Sequence, residues 1–232
     1  MEEKIYKLLI EKSIRIINNA TQYALFSNAL TVAKERYLNL DQNIVLSTMG
    51  GIPRELLSKF EIDIRLTKEE LVEVYGKDLV ELNFKNFFIN TIAEIDYIFE
   101  DIFRIILEND NYEDGKIEKE IRNLWANNNF YNYLIDKDYF GLKNNLEFKK
   151  LFFHYLQIRI VRHALIHTDG ILNERQVKHI EQLNNEVGDQ NFVFLRTRLF
   201  SENNIIIDFE NGCNLRRYCI DFVSLLIGHL KQ

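Results

Sequence analysis

A single proline, Pro53, stands among 232 residues, and that scarcity constrains the fold more than any other feature of the chain. Proline removes a backbone donor and clashes with the preceding helical turn, so segments without it are free to continue as helices. With Ile, Asn, Lys and Leu abundant on both sides of Pro53, a mainly α fold is expected. Pro53 itself follows Gly50-Gly51, and Ser47 to Pro53 is the natural boundary or mobile loop. Gly-Gly-Ile-Pro lacks the Gly-Lys-Ser/Thr ending of a phosphate loop, so no nucleotide cradle is read there.

Apolar spacing divides the chain into elements. Ile5, Leu8, Leu9, Ile16, Ala20, Tyr23, Ala24 and Leu30 approximate a helical period from Glu3 to about Leu40, in one or two helices, with an interruption near Asn18-Asn19. Thr67 with Glu70 three positions later forms a capping box before a short helix ending near Tyr75. The widest apolar face, from Phe84 to Ile106, predicts a central helix over Leu82 to Leu107. Asp110 to Gly115 reads as a turn, Ile117 to Trp125 as a helix and Asn127 to Asn129 as its end. Phe130 to Phe140, aromatic and polar by turns, fits no element cleanly. A helix over Leu146 to Ile166 buries Phe148, Leu151, Phe152, Tyr155, Ile158, Val161 and Leu165, and Arg175 to Asn185 resumes helical character. Phe192 to Leu195 and Ile205 to Phe209 are β-like and predict a small hairpin near the carboxyl terminus, before a last helix from Leu215 to Leu230.

A hydrophobic content of 47% over this length can bury a full core, in one large domain or in a helical extension plus a domain. The net charge of -6 argues against a protein that coats nucleic acid, because such binding neutralises many phosphates with Lys and Arg. Contact with RNA must therefore be local. Cys213 and Cys219 alone do not make a disulfide framework, and a reducing compartment is expected. Met1 to Lys12 alternates charged and apolar residues, unlike a signal peptide, and no apolar run approaches the roughly 18 residues of a membrane span. These features predict a cytoplasmic protein without a membrane partner.

One stretch carries chemistry: Val161-Arg162-His163-Ala164-Leu165-Ile166-His167-Thr168-Asp169-Gly170, at the end of an apolar helix. An arginine can hold a phosphate while a histidine moves a proton, the two tasks of metal-free RNA cleavage. A plain structural account also fits, with Arg162 a helix-end cation and His167 a carboxyl-terminal residue favoured by the helix dipole. Five residues at about 100° each set Arg162 and His167 roughly 140° apart on a regular helix. Either the helix ends before His167 or a second chain completes the site. His163 and His167, four apart, share a face and could ligate a metal with Asp169 or His154, although no further zinc motif supports it. No metal or cofactor is therefore expected.

Arg162, the polar His163 and His167 form an Arg-polar-x-x-x-His motif that resembles the signature of the HEPN superfamily, many of whose members are ribonucleases of toxin, phage-defence and RNA-processing systems. The likeness covers roughly Lys77 to Gln232, so it divides the chain into an amino-terminal helical extension, 1–76, and a HEPN-like helical bundle, 77–232. The resemblance implies a homodimer in which two motifs face one composite active site. It implies cleavage of an RNA substrate by its own 2′-hydroxyl, with His167 the acid-base group and Arg162 on the phosphate, leaving 2′,3′-cyclic phosphate ends. His163 would orient the site or donate to the phosphate, or else face solvent. Thr168 and Asp169 would brace His167, unless they serve only the turn before Gly170. An inhibitory antitoxin or defence-system partner is implied too, and the amino-terminal third is another candidate inhibitor. Toxins paired with a nucleotidyltransferase often carry a tyrosine two residues after the histidine. Asp169 stands there, so control by modification at that position is not expected. The alternative is a noncatalytic helical module that dimerises or binds a partner or nucleotide.

Arg159 and Lys178 near the motif, with Arg196, Arg198, Arg216 and Arg217, could form an RNA track, although each is more often a solvated surface charge. Tyr155, Phe192 and Phe194 could stack bases, but core packing explains them better. Asp96, Glu100 and Asp101 could pair with Arg162, although a solvated helix face is the simpler reading.

Overall fold

The computed structural model describes residues 1–41, 43–187, 200–201, 203–206 and 208–229, and the fold is mainly α. Helix α1 (Glu2–Leu38) leads through strand β1 (Val45–Ser47) and strand β2 (Arg65–Thr67) to α2 (Lys68–Glu73), a π-helical turn (Val74–Asp78) and α3 (Leu79–Asn109). Shorter helices α4 (Asp114–Arg122) and α5 (Asn129–Asp136) precede α6 (Leu146–His167) and α7 (Glu174–Val187). Strands β3 (Phe200–Ser201) and β4 (Asn204–Ile205) then lead into α8 (Phe209–His229).

Both strand pairs are antiparallel and short: Leu46 pairs with Leu66 in the first, and Ser201 with Asn204 in the second. The second hairpin holds the chain that leaves α6, because Ile205 N–H donates to Gly170 O (2.8 Å) and Leu172 N–H donates to Asn203 O (2.8 Å). The predicted run Phe192 to Leu195, with Arg196 and Arg198, lies outside the described residues. Of the other run, Ile205 closes the hairpin, while Phe209 already belongs to α8.

Helix α3 is the axis of the core. Phe84, Phe88, Ile92, Phe99, Phe103 and Ile106 are fully enclosed, and rings from α5, α6 and α8 pack around Phe99: Phe130 (5.2 Å between centroids), Tyr155 (5.4 Å) and Phe222 (5.3 Å). Each fully buried side chain of this kind contributes roughly 1.5–3 kcal/mol. Ile5, Leu9, Ile16, Ala20 and Tyr23 of α1 enter the same core. Asn18-Asn19 does not interrupt α1, since Asn18 is exposed and Asn19 half-buried on a continuous helix. Where α1 meets α8, a Cβ on Gly212 would lie 2.0 Å from the Tyr23 hydroxyl, so glycine permits the approach. The Thr67–Glu70 capping box forms as the spacing predicts. No described helix is long and apolar enough to cross a membrane.

Candidate functional site

The site is built where α6 stops being core and becomes surface. From Leu151 to Ile158 every residue is buried, whereas His163, Ile166 and His167 are exposed. Helix α6 continues through His167, so of the two alternatives a helix that ends before the histidine is not the one found. Its end is closed by the turn beyond: Thr168 N–H (2.9 Å) and Gly170 N–H (3.1 Å) both donate to Ala164 O. Asp169 (φ 49°) and Gly170 (φ 82°) take the left-handed conformation this cap needs. His167 therefore makes none of the cap's hydrogen bonds.

Thr168 and Asp169, expected to brace His167, bond elsewhere. The Thr168 hydroxyl is shared between Ala164 O (3.0 Å) and Ile171 O (2.5 Å), which fastens the turn. Asp169 accepts from Lys85 Nζ of α3 (2.9 Å), and this hydrogen bond and charge hold its carboxyl below the usual range. The pair clamps the end of α6 to the central helix.

Asp96 reverses its predicted place. It lies buried on the inner face of α3, where it joins three groups of α6. Arg159 Nε donates to Oδ1 (2.7 Å), Arg162 Nη1 to Oδ2 (3.3 Å), and the Tyr155 hydroxyl to Oδ1 (2.8 Å) or to Ile92 O (3.2 Å). Positions 155, 159 and 162 are spaced four and three apart, so they present one stripe of α6 to α3. Burial, then the Asp96 charge and hydrogen bond, push the Tyr155 phenol well up, so it remains a donor. Tyr155 is fully enclosed and unavailable to stack a base. Burial, followed by the charges of Asp96 and Asp101, also raises Glu100 one turn further along α3.

One carboxylate thus meets two guanidinium groups, and Glu100 lies near enough to feel the charge of Arg159 as well. Arg159 lies with its guanidinium carbon 4.0 Å from the centroid of the Trp125 ring, a stacked cation–π contact. Arg162 gives one of its N–H groups to Asp96, while its buried Nε finds no hydrogen-bond partner among the described residues. An arginine fork has five donors, so both retain N–H groups for an anion.

A cavity of about 630 Å³ opens along this flank. Arg159, Arg162, His163 and His167 line it from α6, and Gln176 and His179 line it from α7. Both motif residues reach it despite their angular separation because the cavity wraps the exposed side of the last turns. The His163 and His167 rings are 4.5 Å apart between centroids, and Gln176 Nε2 lies 3.4 Å from His163 Nδ1. Trp125, Asn127 and Asn128 complete the wall; both asparagines have left-handed backbone (φ 51° and 57°), which asparagine tolerates better than most residues.

His179, Gln176, Trp125 and the two asparagines were not singled out by the sequence. The signal for α7 was present in Asn173-x-x-Gln176, which forms a reciprocal cap: Asn173 Oδ1 accepts from Gln176 N–H (3.0 Å) and Gln176 Oε1 from Asn173 N–H (2.9 Å). That cap makes α6 and α7 a helical hairpin and sets Gln176 across from His163, with His179 one turn further along. Lys178 is exposed beside the cavity, in a depression it shares with Arg175 and His179. His154 is buried three residues from its partner Gln157 (3.0 Å), and among the described residues no three His, Cys, Asp or Glu side chains converge as a metal site. Cys213 and Cys219 are both free thiols.

No family model, curated protein or solved structure matches this chain.

Proposed function

We propose that the chain is a metal-independent endoribonuclease of HEPN type, acting in a toxin or phage-defence system. The observation that carries this reading is the single cavity lined by Arg162 and His167 together with Arg159, His163 and His179. Arg162 and Arg159, aligned by Asp96, hold the nonbridging phosphate oxygens and the charge that develops in the transition state. An imidazole takes the proton of the RNA 2′-hydroxyl as O2′ bonds to phosphorus. A second imidazole protonates O5′ as the P–O5′ bond breaks, leaving a 2′,3′-cyclic phosphate and a 5′-hydroxyl. His167 performs one transfer. The other falls to His179 of the same chain or to the motif of a partner chain across a composite dimer site. His163, in ring contact with His167 and tied to Gln176, orients it. An antitoxin or defence-system protein is the corresponding restraint.

The test is cleavage of a mixed RNA pool in EDTA by the wild type, Arg162→Lys, His167→Ala and His179→Ala, with end-group analysis. Cyclic-phosphate ends are expected from the wild type, with rates lowered at least about 100-fold in the Arg162 and His167 variants. A comparable loss in His179→Ala assigns the second proton transfer to the same chain; an unchanged rate assigns it to a partner. Equal background in every protein refutes the enzymatic reading.

A second reading, a noncatalytic helical module, draws on the Asp96 contacts, which give both arginines a packing role without any substrate. It is favoured if all variants lack cleavage while Arg162→Lys lowers stability.

A further inference from the structure

Helix α1 has two apolar faces, and the core uses only one. Ile5, Leu9, Ile16, Ala20 and Tyr23 are buried in the common core and Leu30 is buried too, yet Ile10 (40% exposed), Ile14 (55%), Ile17 (52%), Leu25 (64%) and Val32 (68%) stand in solvent. At 100° per residue these five fall within a sector of about 80°, turned well away from the buried residues. Between Lys7 and Glu35 the positions of that sector are Ile10, Ile14, Ile17, Thr21, Leu25, Asn28 and Val32, without a charge. Charge depletion at the centre with a polar rim, here Asn18, Gln22 and Thr31, is the anatomy of a protein interface.

The order of these residues selects the partner. About Thr21 the stripe mirrors itself: Ile17 and Leu25 are equidistant, as are Ile14 and Asn28, Ile10 and Val32, and Lys7 and Glu35. A twofold axis through Thr21 of two antiparallel α1 helices therefore lays Ile17 against Leu25, Ile10 against Val32 and Ile14 against Asn28, and at both ends opposes Glu35 to Lys7, whose own-chain partner is the exposed Glu3 (2.6 Å), the self-complementary surface an isologous contact requires. A parallel pair would instead oppose Lys7 to Lys7. The five apolar side chains leave on the order of 500 Å² uncovered in each chain, so their burial in a pair reaches at most about 1,000 Å², the floor for a specific interface, and the polar positions of the stripe add to it.

We infer that α1 is a homodimerisation helix that docks antiparallel on α1 of a second copy, centred on Thr21. The inference is independent of the ribonuclease reading. No α1 residue lines the cavity, so this face differs from one that joins two motifs in a shared cleft.

The test is the mass of the full chain by sedimentation across a range of concentration, for the wild type, Ile17→Glu, Leu25→Glu, Lys7→Glu, Glu35→Lys and the double Lys7→Glu/Glu35→Lys. All these side chains are exposed, and circular dichroism serves as the control for folding. The expected result is a wild-type dimer, monomers for the two glutamates at Ile17 and Leu25, and a dimer Kd raised roughly fivefold by each single charge reversal and restored in the double variant. A wild-type monomer at every concentration overturns the inference and leaves the face to a different protein. A dimer indifferent to Ile17→Glu and Leu25→Glu overturns it as well. A double variant no tighter than the single reversals overturns the antiparallel register.

Discussion

The two ends of α6 obey different rules. Its middle turns, Leu151 to Ile158, are enclosed on all sides by α3, α7 and α8, including the polar His154 and Gln157. Its last turns bury only Val161, Ala164 and Leu165, while His163, Ile166 and His167 face the cavity and solvent. A helix that is core for most of its length can aim side chains at its end with little freedom, because its axis and rotation are set by packing remote from the chemistry. The middle should therefore govern stability and the end should govern activity.

The largest effect that tests this division is Phe152→Ala. Phe152 is fully buried among Phe99 (6.1 Å between centroids), Trp125 (6.3 Å) and Tyr131 (5.3 Å). Its truncation should cost about 4 kcal/mol in urea unfolding, against less than about 0.5 kcal/mol for Ile166→Ala on the same helix. Similar costs at both positions would erase the contrast.

Asp96→Asn probes the join between the two regimes. Asparagine preserves volume but withdraws the charge that compensates Arg159 and Arg162. Their side chains remain 26% and 27% exposed, so water screens part of the loss. A cost of about 2 kcal/mol is expected, below the range for a fully buried pair. If stability is unchanged while RNA cleavage falls, Asp96 aligns the arginines without holding α6 to α3. If both change, the cluster belongs to core and site together.

Much of the scaffold was legible because it depends on periodicity and on local chemistry. The apolar run of α3 sets its extent to within three residues at each end, and Thr67 with Glu70 announces the start of α2. Cores of this kind are written in one-dimensional spacing. The pairing of Asp96 with Arg162 could be raised from the sequence but not chosen, because a carboxylate on an apolar helix reads as a solvated position until the arginines of another helix are brought against it. His179 was hidden outright, because it joins the cavity only through the turn that pairs α7 with α6. Asn127 and Asn128 could be read as a helix end, but their place in the cavity wall emerges only in the folded turn. Residues spaced along one helix could be read from the chain, whereas residues gathered from several could not.

The smallest expected effect is the most discriminating. If His167 were a structural helix terminus, replacing it with alanine would remove a dipole interaction worth about 0.3–1 kcal/mol, or more in a partly buried setting. The cap is instead made by Thr168 and Gly170, whose N–H groups meet Ala164 O, and by the Lys85–Asp169 clamp. His167→Ala should therefore shift unfolding by less than about 0.3 kcal/mol, while Gly170→Ala, forced to keep φ near 82°, should shift it by about 1 kcal/mol or more. The reverse order would place the histidine in the scaffold and remove the separation between the two ends of α6. The expected order leaves His167 with no structural duty large enough to explain its position, exposed at the mouth of a cavity it shares with two arginines and two further histidines.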